Sequence, residues 1–347
     1  MILMYALLAI VFLFIPTAKV TKPINSIYGD YISQDNTLSI KGLFTIIVMM
    51  SHFRGYVKLP TNMLNTSFSY VTDMIGQLMV AIFFFYSGFG ISESIKKHGM
   101  GVYLASFPKK RLFGTWLSFA ICICFYIIAA WIIGEQYSIG EMMLAFTGWT
   151  SIGNSNWFMF VTFVLYIILL IAFKCTSKDN TKLFTAITFI LCIALFIFLY
   201  YLKESYWWDT LLCFPIGMVF SLHKNSIDKG MSRPIIYWST LFTLLLVFGI
   251  TYKFTYTTSQ LFYLVTSVCF CLLIVCFTMK VKIRSTPLKF VGKHVFSIYI
   301  LQRLVYMFVA QFIDNAYLFF IVSVMITIIL AALYDYMFGK LKAKIFI

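Results

Sequence analysis

Eleven apolar runs follow one another along the whole chain, at 2–18, 38–53, 71–92, 112–134, 157–173, 183–202, 206–222, 235–252, 259–279, 290–312 and 317–338. Each is long enough, or nearly so, for an α-helix to cross a hydrocarbon core of roughly 30 Å. Backbone buried in lipid has to satisfy its own hydrogen bonds, and for runs of this length the helix does so. With 61% hydrophobic and 11% charged residues, the chain lies outside the range of soluble domains. The expected fold is all-α: a polytopic integral-membrane helix bundle with about eleven transmembrane helices. Residues 1–37 read as an N-terminal transmembrane anchor with its linker, and 38–347 as one membrane domain without a soluble domain attached.

The net charge of +15 could suggest nucleic acid, but its placement argues for topology. Basic residues gather in alternate loops: Lys19, Lys22 and Lys41; Lys96, Lys97, Lys109, Lys110 and Arg111; Lys174, Lys178 and Lys182; Lys224, Lys229 and Arg233; and those from Lys280 to Lys293 and from Lys340 to Lys344. The other loops keep Arg54, Lys58, Lys203 and Lys253, and Arg303 falls inside the tenth run. This alternation follows the positive-inside bias, which puts the N-terminus outside and the C-terminus in the cytoplasm. The first run has no basic residues ahead of it and two lysines behind it, the pattern of a retained anchor rather than a cleaved leader. The expected partner is therefore the bilayer and not nucleic acid. All eight cysteines lie in or at the end of apolar runs and read as small apolar residues. The four histidines, His52, His98, His223 and His294, show no metal-ligand spacing, so no metal is expected.

Within LSIKGLFTIIVMMSHF, His52 follows Lys41 by eleven residues. Eleven steps of 100° bring a helix back to within about 20° of its start, so the two share a face roughly 16 Å apart along the axis. Lys41, Thr45, Val48 and His52 form one stripe. Two readings stand. A lysine can snorkel from a helix start while a core histidine bonds a backbone carbonyl. Alternatively the lysine attracts an anionic donor from one side, and the imidazole, about halfway through the membrane, serves as general base for acyl transfer to an alcohol.

Three further groups of residues bear on chemistry. FFFYSGFGISES contains Ser87, Gly88 and Gly90, small residues that permit close helix packing or the approach of a ligand to the backbone. Ser87 with the amides near Gly88 is also a candidate for holding an oxyanion or the donor. Shortly after it, Lys109, Lys110 and Arg111 mark the cytoplasmic side and can also bind phosphates. The long loop from 135 to 156 and the residue after it supply Trp149, Asn154, Asn156 and Trp157. Indoles and amides of this kind suit either an interfacial aromatic belt or a saccharide-facing surface.

Taken in order, these segments resemble the acyltransferase 3 family of bacterial membrane acyltransferases. That family carries an arginine, ten intervening residues and a histidine in its first core helix, where this chain has Lys41 and His52 with Gly42 after the basic residue. FFFYSGF, KKRLFGTW, NSNWFMFVTFVLYIILL and GKHVFSIYILQRLV resemble the later family segments, and the likeness spans about 38 to 337. It departs in three places. Lys41 replaces arginine and loses the bidentate fork, Gln302 stands where many members have histidine, and WFMFVTF lacks an acidic residue that some members carry.

The resemblance implies a membrane O-acyltransferase in the bacterial cytoplasmic membrane. Such an enzyme passes an acyl group, usually acetyl, from cytoplasmic acyl-coenzyme A to a hydroxyl of a saccharide or lipid-linked glycan, such as a capsule or other surface polysaccharide. On that reading His52 and Lys41 are catalytic, while Lys41, Ser87, Lys109, Lys110 and Arg111 bind acetyl-coenzyme A. Trp149, Asn154, Asn156 and Trp157 meet the acceptor. The rival class is a glycan transporter or flippase without transfer chemistry, for which paired broken helices in two related halves would be expected and are not seen. A third, a glycan polymerase, is disfavoured by the acidic main outer loop with Glu135 and Glu141.

Overall fold

The structure, a computed structural model, describes residues 18–20, 26–176 and 180–345. All but the last residue of the first apolar run lie outside the described residues. The chain is an all-α, multi-pass helical bundle. Its first half comprises α1 (Gln34–Phe53), α2 (Met63–His98), α3 (Met100–Phe107), a π-helical stretch (Pro108–Phe113), α4 (Gly114–Ile133), α5 (Ile139–Ala145), α6 (Trp157–Lys174) and α7 (Thr181–Leu202). A single 3-10 turn (Ser205–Trp207) leads into α8 (Cys213–Met231), α9 (Pro234–Thr257), α10 (Phe262–Lys280), α11 (Thr286–Lys293), α12 (Val295–Val309) and α13 (Ala316–Ile345). The short strand β1 (Ala18–Val20) lies antiparallel to β2 (Val281–Ile283), with Ala18 opposite Ile283.

Among the described residues, seven segments are long and apolar enough to cross a membrane: Asn65–His98, Met100–Ile133, Trp157–Lys174, Thr181–Leu202, Pro234–Thr257, Phe262–Lys280 and Ala316–Ile345. α12 is apolar but shorter. The runs at 38–53 and 206–222 fall in helices that are partly polar. α1 opens on Gln34, Asp35 and Asn36, and α8 carries His223, Lys224, Asn225, Asp228 and Lys229 in its second half. Much of the stretch from 206 to 212 forms turns rather than helix.

Local chemistry sets the helix ends. Asn62 caps α2 by accepting the Asn65 N–H at 2.9 Å, and Ser285 caps α11 through Leu288 N–H at 3.4 Å. α4 ends at Gly134 in the left-handed conformation, φ 80°. The linker before α1 is tied down at the lysine-rich end. Tyr31 Oη donates to Asp228 at 2.7 Å, and Lys280 Nζ donates to the Ser26 carbonyl at 2.7 Å.

Two helix crossings are closed by glycine. A Cβ at Gly42 would lie 1.9 Å from the Leu288 carbonyl oxygen, and one at Gly292 would lie 1.9 Å from that of Leu38, so α1 and α11 meet backbone to backbone. α2 and α8 meet in the same way, with Gly88 facing the Phe214 carbonyl at 2.0 Å and Gly217 facing that of Phe85 at 2.1 Å. Small residues allow this approach in membrane bundles. Gly88 is therefore a packing residue, whereas a Cβ at Gly90 would meet nothing within 4 Å. Gly88→Ala is expected to destabilise by roughly 1–3 kcal/mol through overpacking. Gly90→Ala is expected to be neutral or stabilising by up to about 1 kcal/mol. Thermal unfolding of the two variants in the same detergent checks the contrast.

Candidate functional site

α1 and α2 run antiparallel in a defined register. Ser51 faces Gly76, whose added Cβ would lie 2.7 Å from Ser51 Oγ, and Lys41 Nζ lies 5.6 Å from the centre of the Tyr86 ring. Past the Ser51 level α2 continues for thirteen residues, from Gly76 back to Met63, about 20 Å of helix. α1 thus ends inside the bundle, and His52 occupies its last turn. Arg54 fastens this end to α2, donating to the Ser69 carbonyl at 2.8 Å and Thr72 Oγ1 at 2.9 Å.

The helix that meets His52 is α12. Its residues Tyr299, Gln302, Arg303 and Tyr306 recur at i, i+3, i+4 and i+7 and so form one stripe. Tyr306 Oη donates to the Met49 carbonyl at 2.9 Å, which locks the stripe against α1. The Tyr299 ring centre lies 6.3 Å from the imidazole, and the Gln302 side chain and Arg303 guanidinium are the imidazole's polar and charged neighbours. Ser155, from the loop before α6, adjoins the Tyr299 hydroxyl. Phe158, at the start of α6, packs on the Tyr299 ring with centres 5.1 Å apart.

Several buried polar atoms in this cluster lack a close hydrogen-bond partner. His52 Nδ1, Ser155 Oγ, Tyr299 Oη, Gln302 Oε1 and Arg303 Nε are all buried without a hydrogen-bond partner. Arg303 forms no ion pair with an acidic side chain among the described residues. The titratable groups in its surroundings are the neutral hydroxyls of Tyr56, Tyr126, Tyr299 and Tyr306 and the imidazole. Buried polar groups are ordinarily paired, and so many orphans together need an explanation. A set of donors around an imidazole is chemically suited to hold a polar substrate and to take a proton from it.

The donor-side candidates lie at another level. Lys41 is largely buried under Tyr86, and Ser87 is the next residue on α2. Tyr166 of α6 adjoins Ser87, and Arg111 is the charged group in its surroundings. Lys41 and Ser87 lie about 16 Å along α1 and α2 from the level of His52. Lys109 and Lys110 are exposed on the π-helical stretch beside Arg111. At this distance Ser87 belongs with the donor-side group and not with the imidazole.

The four loop candidates diverge. Trp149 sits in an aromatic box with Phe160 and Trp207, where Lys203 Nζ lies 3.7 Å over its ring and 4.4 Å over that of Trp207. Gly148 (φ 79°) makes this possible, because a Cβ there would lie 2.8 Å from Phe160 N. Asn154 is buried, using Oδ1 to accept the Ile152 N–H at 3.0 Å, while its Nδ2 has no partner. Asn156 opens α6 through its carbonyl, which accepts from Met159 and Phe160 N–H at 3.0 Å. Trp157 packs on Phe84 and Tyr206. The loop residue that reaches the imidazole's neighbourhood is Ser155, between the two asparagines. The capping box of α5 stands apart, and there the Ser138 N–H and hydroxyl hold the Glu141 carboxyl below the usual carboxylate range.

The family model of the acyltransferase 3 group, described as an acyltransferase domain, matches residues 39–336. The chain belongs to this family and is a membrane acyltransferase. Comparison with curated proteins and with solved structures returns no match.

Proposed function

We propose that the protein transfers an acetyl group from acetyl-coenzyme A to a hydroxyl of a cell-surface polysaccharide or lipid-linked glycan, acting in the bacterial cytoplasmic membrane. The lysine-rich end then faces the cytoplasm, with the C-terminus on that side and the N-terminus outside. Lys109, Lys110 and Arg111 draw in the donor phosphates, and Lys41 with Ser87 holds the donor further in. The thioester extends along α1 to His52, where the acceptor arrives from the opposite end past Asn154, Asn156 and Trp157.

His52 takes the proton of the acceptor hydroxyl, whose oxygen attacks the thioester carbonyl carbon. The carbonyl oxygen becomes an oxyanion beside Arg303 and Tyr299. When the C–S bond breaks, the coenzyme A thiolate leaves and recovers the proton from the imidazole, and the acyl ester remains on the acceptor. The observation that carries this reading is the cluster of unsatisfied buried polar atoms around His52, at one end of the helix whose other end holds Lys41.

The test is transfer of radiolabelled acetyl from acetyl-coenzyme A into surface glycan by membranes with and without the chain. Chain-dependent label, released as acetate by mild alkali, is the expected result. Label that is equal in both membranes overturns the proposal.

A further inference from the structure

Away from His52, at the lysine-rich end, a cavity of about 510 Å³ lies between α4, α12 and α13. Its chemistry comes from Ser118, Lys293, His294, Asp335, Tyr336 and Lys342. Two contacts of α13, one to α4 and one to the π-helical stretch before it, bound it. On the deep side, Tyr334 Oη donates to the Ser118 carbonyl at 2.5 Å, and at the other end Lys342 Nζ donates to the Lys110 carbonyl at 3.3 Å. Beside the lining, α4 and α13 carry the exposed apolar residues Trp116, Leu333 and Met337.

The Asp335 carboxylate is the acidic group in this lining. Buried His294 engages one of its oxygens through Nδ1 at 2.5 Å, and Ser297 donates to the other. Lys293 and Lys342 stand at the mouth, and Arg111 is the charged neighbour of Lys342. The lining therefore combines two lysines, a serine hydroxyl and an imidazole engaged by the Asp335 carboxylate, with exposed apolar helix surface beside it. Basic pockets between transmembrane helices on the cytoplasmic side suit anionic lipid headgroups.

We propose that this cavity binds the phosphate headgroup of an anionic phospholipid, with Lys293 and Lys342 facing the phosphate and the acyl chains running out between α4 and α13. The exposed apolar residues beside the lining favour a ligand already in the bilayer over one arriving from solution. The site lies apart from His52 but adjoins the proposed donor-phosphate residues Lys110 and Arg111.

The test is native mass spectrometry of the delipidated full chain in detergent with added phosphatidylglycerol or phosphatidylcholine. Wild type is expected to retain phosphatidylglycerol in preference. The double variant Lys293→Gln/Lys342→Gln is expected to bind it about thirtyfold more weakly, at about 1 kcal/mol per lysine. A control, Lys97→Gln/Lys229→Gln, removes the same charge from exposed positions elsewhere at the lysine-rich end and is expected to keep the preference. If the double variant fails to fold, Lys342→Gln alone is read for an effect of about fivefold. Equal retention of both lipids by wild type overturns the proposal, as does an equal loss in the variant and the control. Displacement of the lipid by acetyl-coenzyme A also overturns it, since the cavity would then belong to the donor.

Discussion

Replacing His52 with alanine is expected to lower acetyl transfer by about 10²–10⁴-fold, the range of a lost general base, while the bundle stays folded. The second half of this expectation rests on geometry. Nδ1 of His52 makes no hydrogen bond to any described residue, and its polar neighbour Gln302 also donates to the Tyr299 carbonyl within α12, so the imidazole is not the main tie that holds α1 in place. That task falls to Tyr306 on the Met49 carbonyl and to Arg54 on Ser69 and Thr72. His52→Gln keeps the bulk and a hydrogen-bonding end but cannot act as the base, and it is expected to be as inactive as alanine. Label transferred into glycan, normalised to folded protein by size-exclusion chromatography, measures both variants. Full activity in either one would return His52 to the structural residues.

Helix formation and membrane class were legible because they depend on local pattern: long apolar runs and charge in alternate loops. The stripe from Lys41 to His52 was legible for the same reason, since helical periodicity alone sets it. Gly42 could be noticed in the sequence, but its partner Gly292 could not, because the crossing of α1 with α11 joins residues far apart in the chain. Gly88 and Gly90 look alike in FFFYSGFG, yet one touches the Phe214 backbone and the other touches nothing.

The largest gap concerns α12. Gln302 reads in the sequence as an imidazole lost from the family pattern, and Arg303 as a stray charge in an apolar run. Their common face with Tyr299 and Tyr306, at i, i+3, i+4 and i+7, was a signal available in the sequence. Its meaning was not, because only the packing of α12 on α1 brings that face to His52. Ser155 was hidden differently. It is an ordinary loop serine between two asparagines, and it enters the site because the loop folds back until Gly153 lies against Met307 of α12.

Arg303 yields a prediction in which activity and stability move apart. A guanidinium inside the bundle with no acidic partner among the described residues carries a desolvation cost that its tyrosine neighbours offset only in part. Such a charge is kept at the expense of stability when it acts on a substrate. Beside the imidazole, that action is to oppose the negative charge that develops on the thioester oxygen. Arg303→Met, close in length and without charge, is expected to lower kcat by about 10²–10³-fold, the usual effect of removing one oxyanion donor. KM for acetyl-coenzyme A should change little, because Lys41, the proposed donor-binding residue on α1, lies about 16 Å away along the helix. The same variant should unfold at a temperature equal to or above that of wild type. Arg303→Lys, which keeps the charge but not the planar fork, should fall between the two in kcat. Kinetics and thermal unfolding on one preparation decide the matter. A variant that loses stability and activity together would make Arg303 a structural residue, and one that raises KM alone would move it to the donor site.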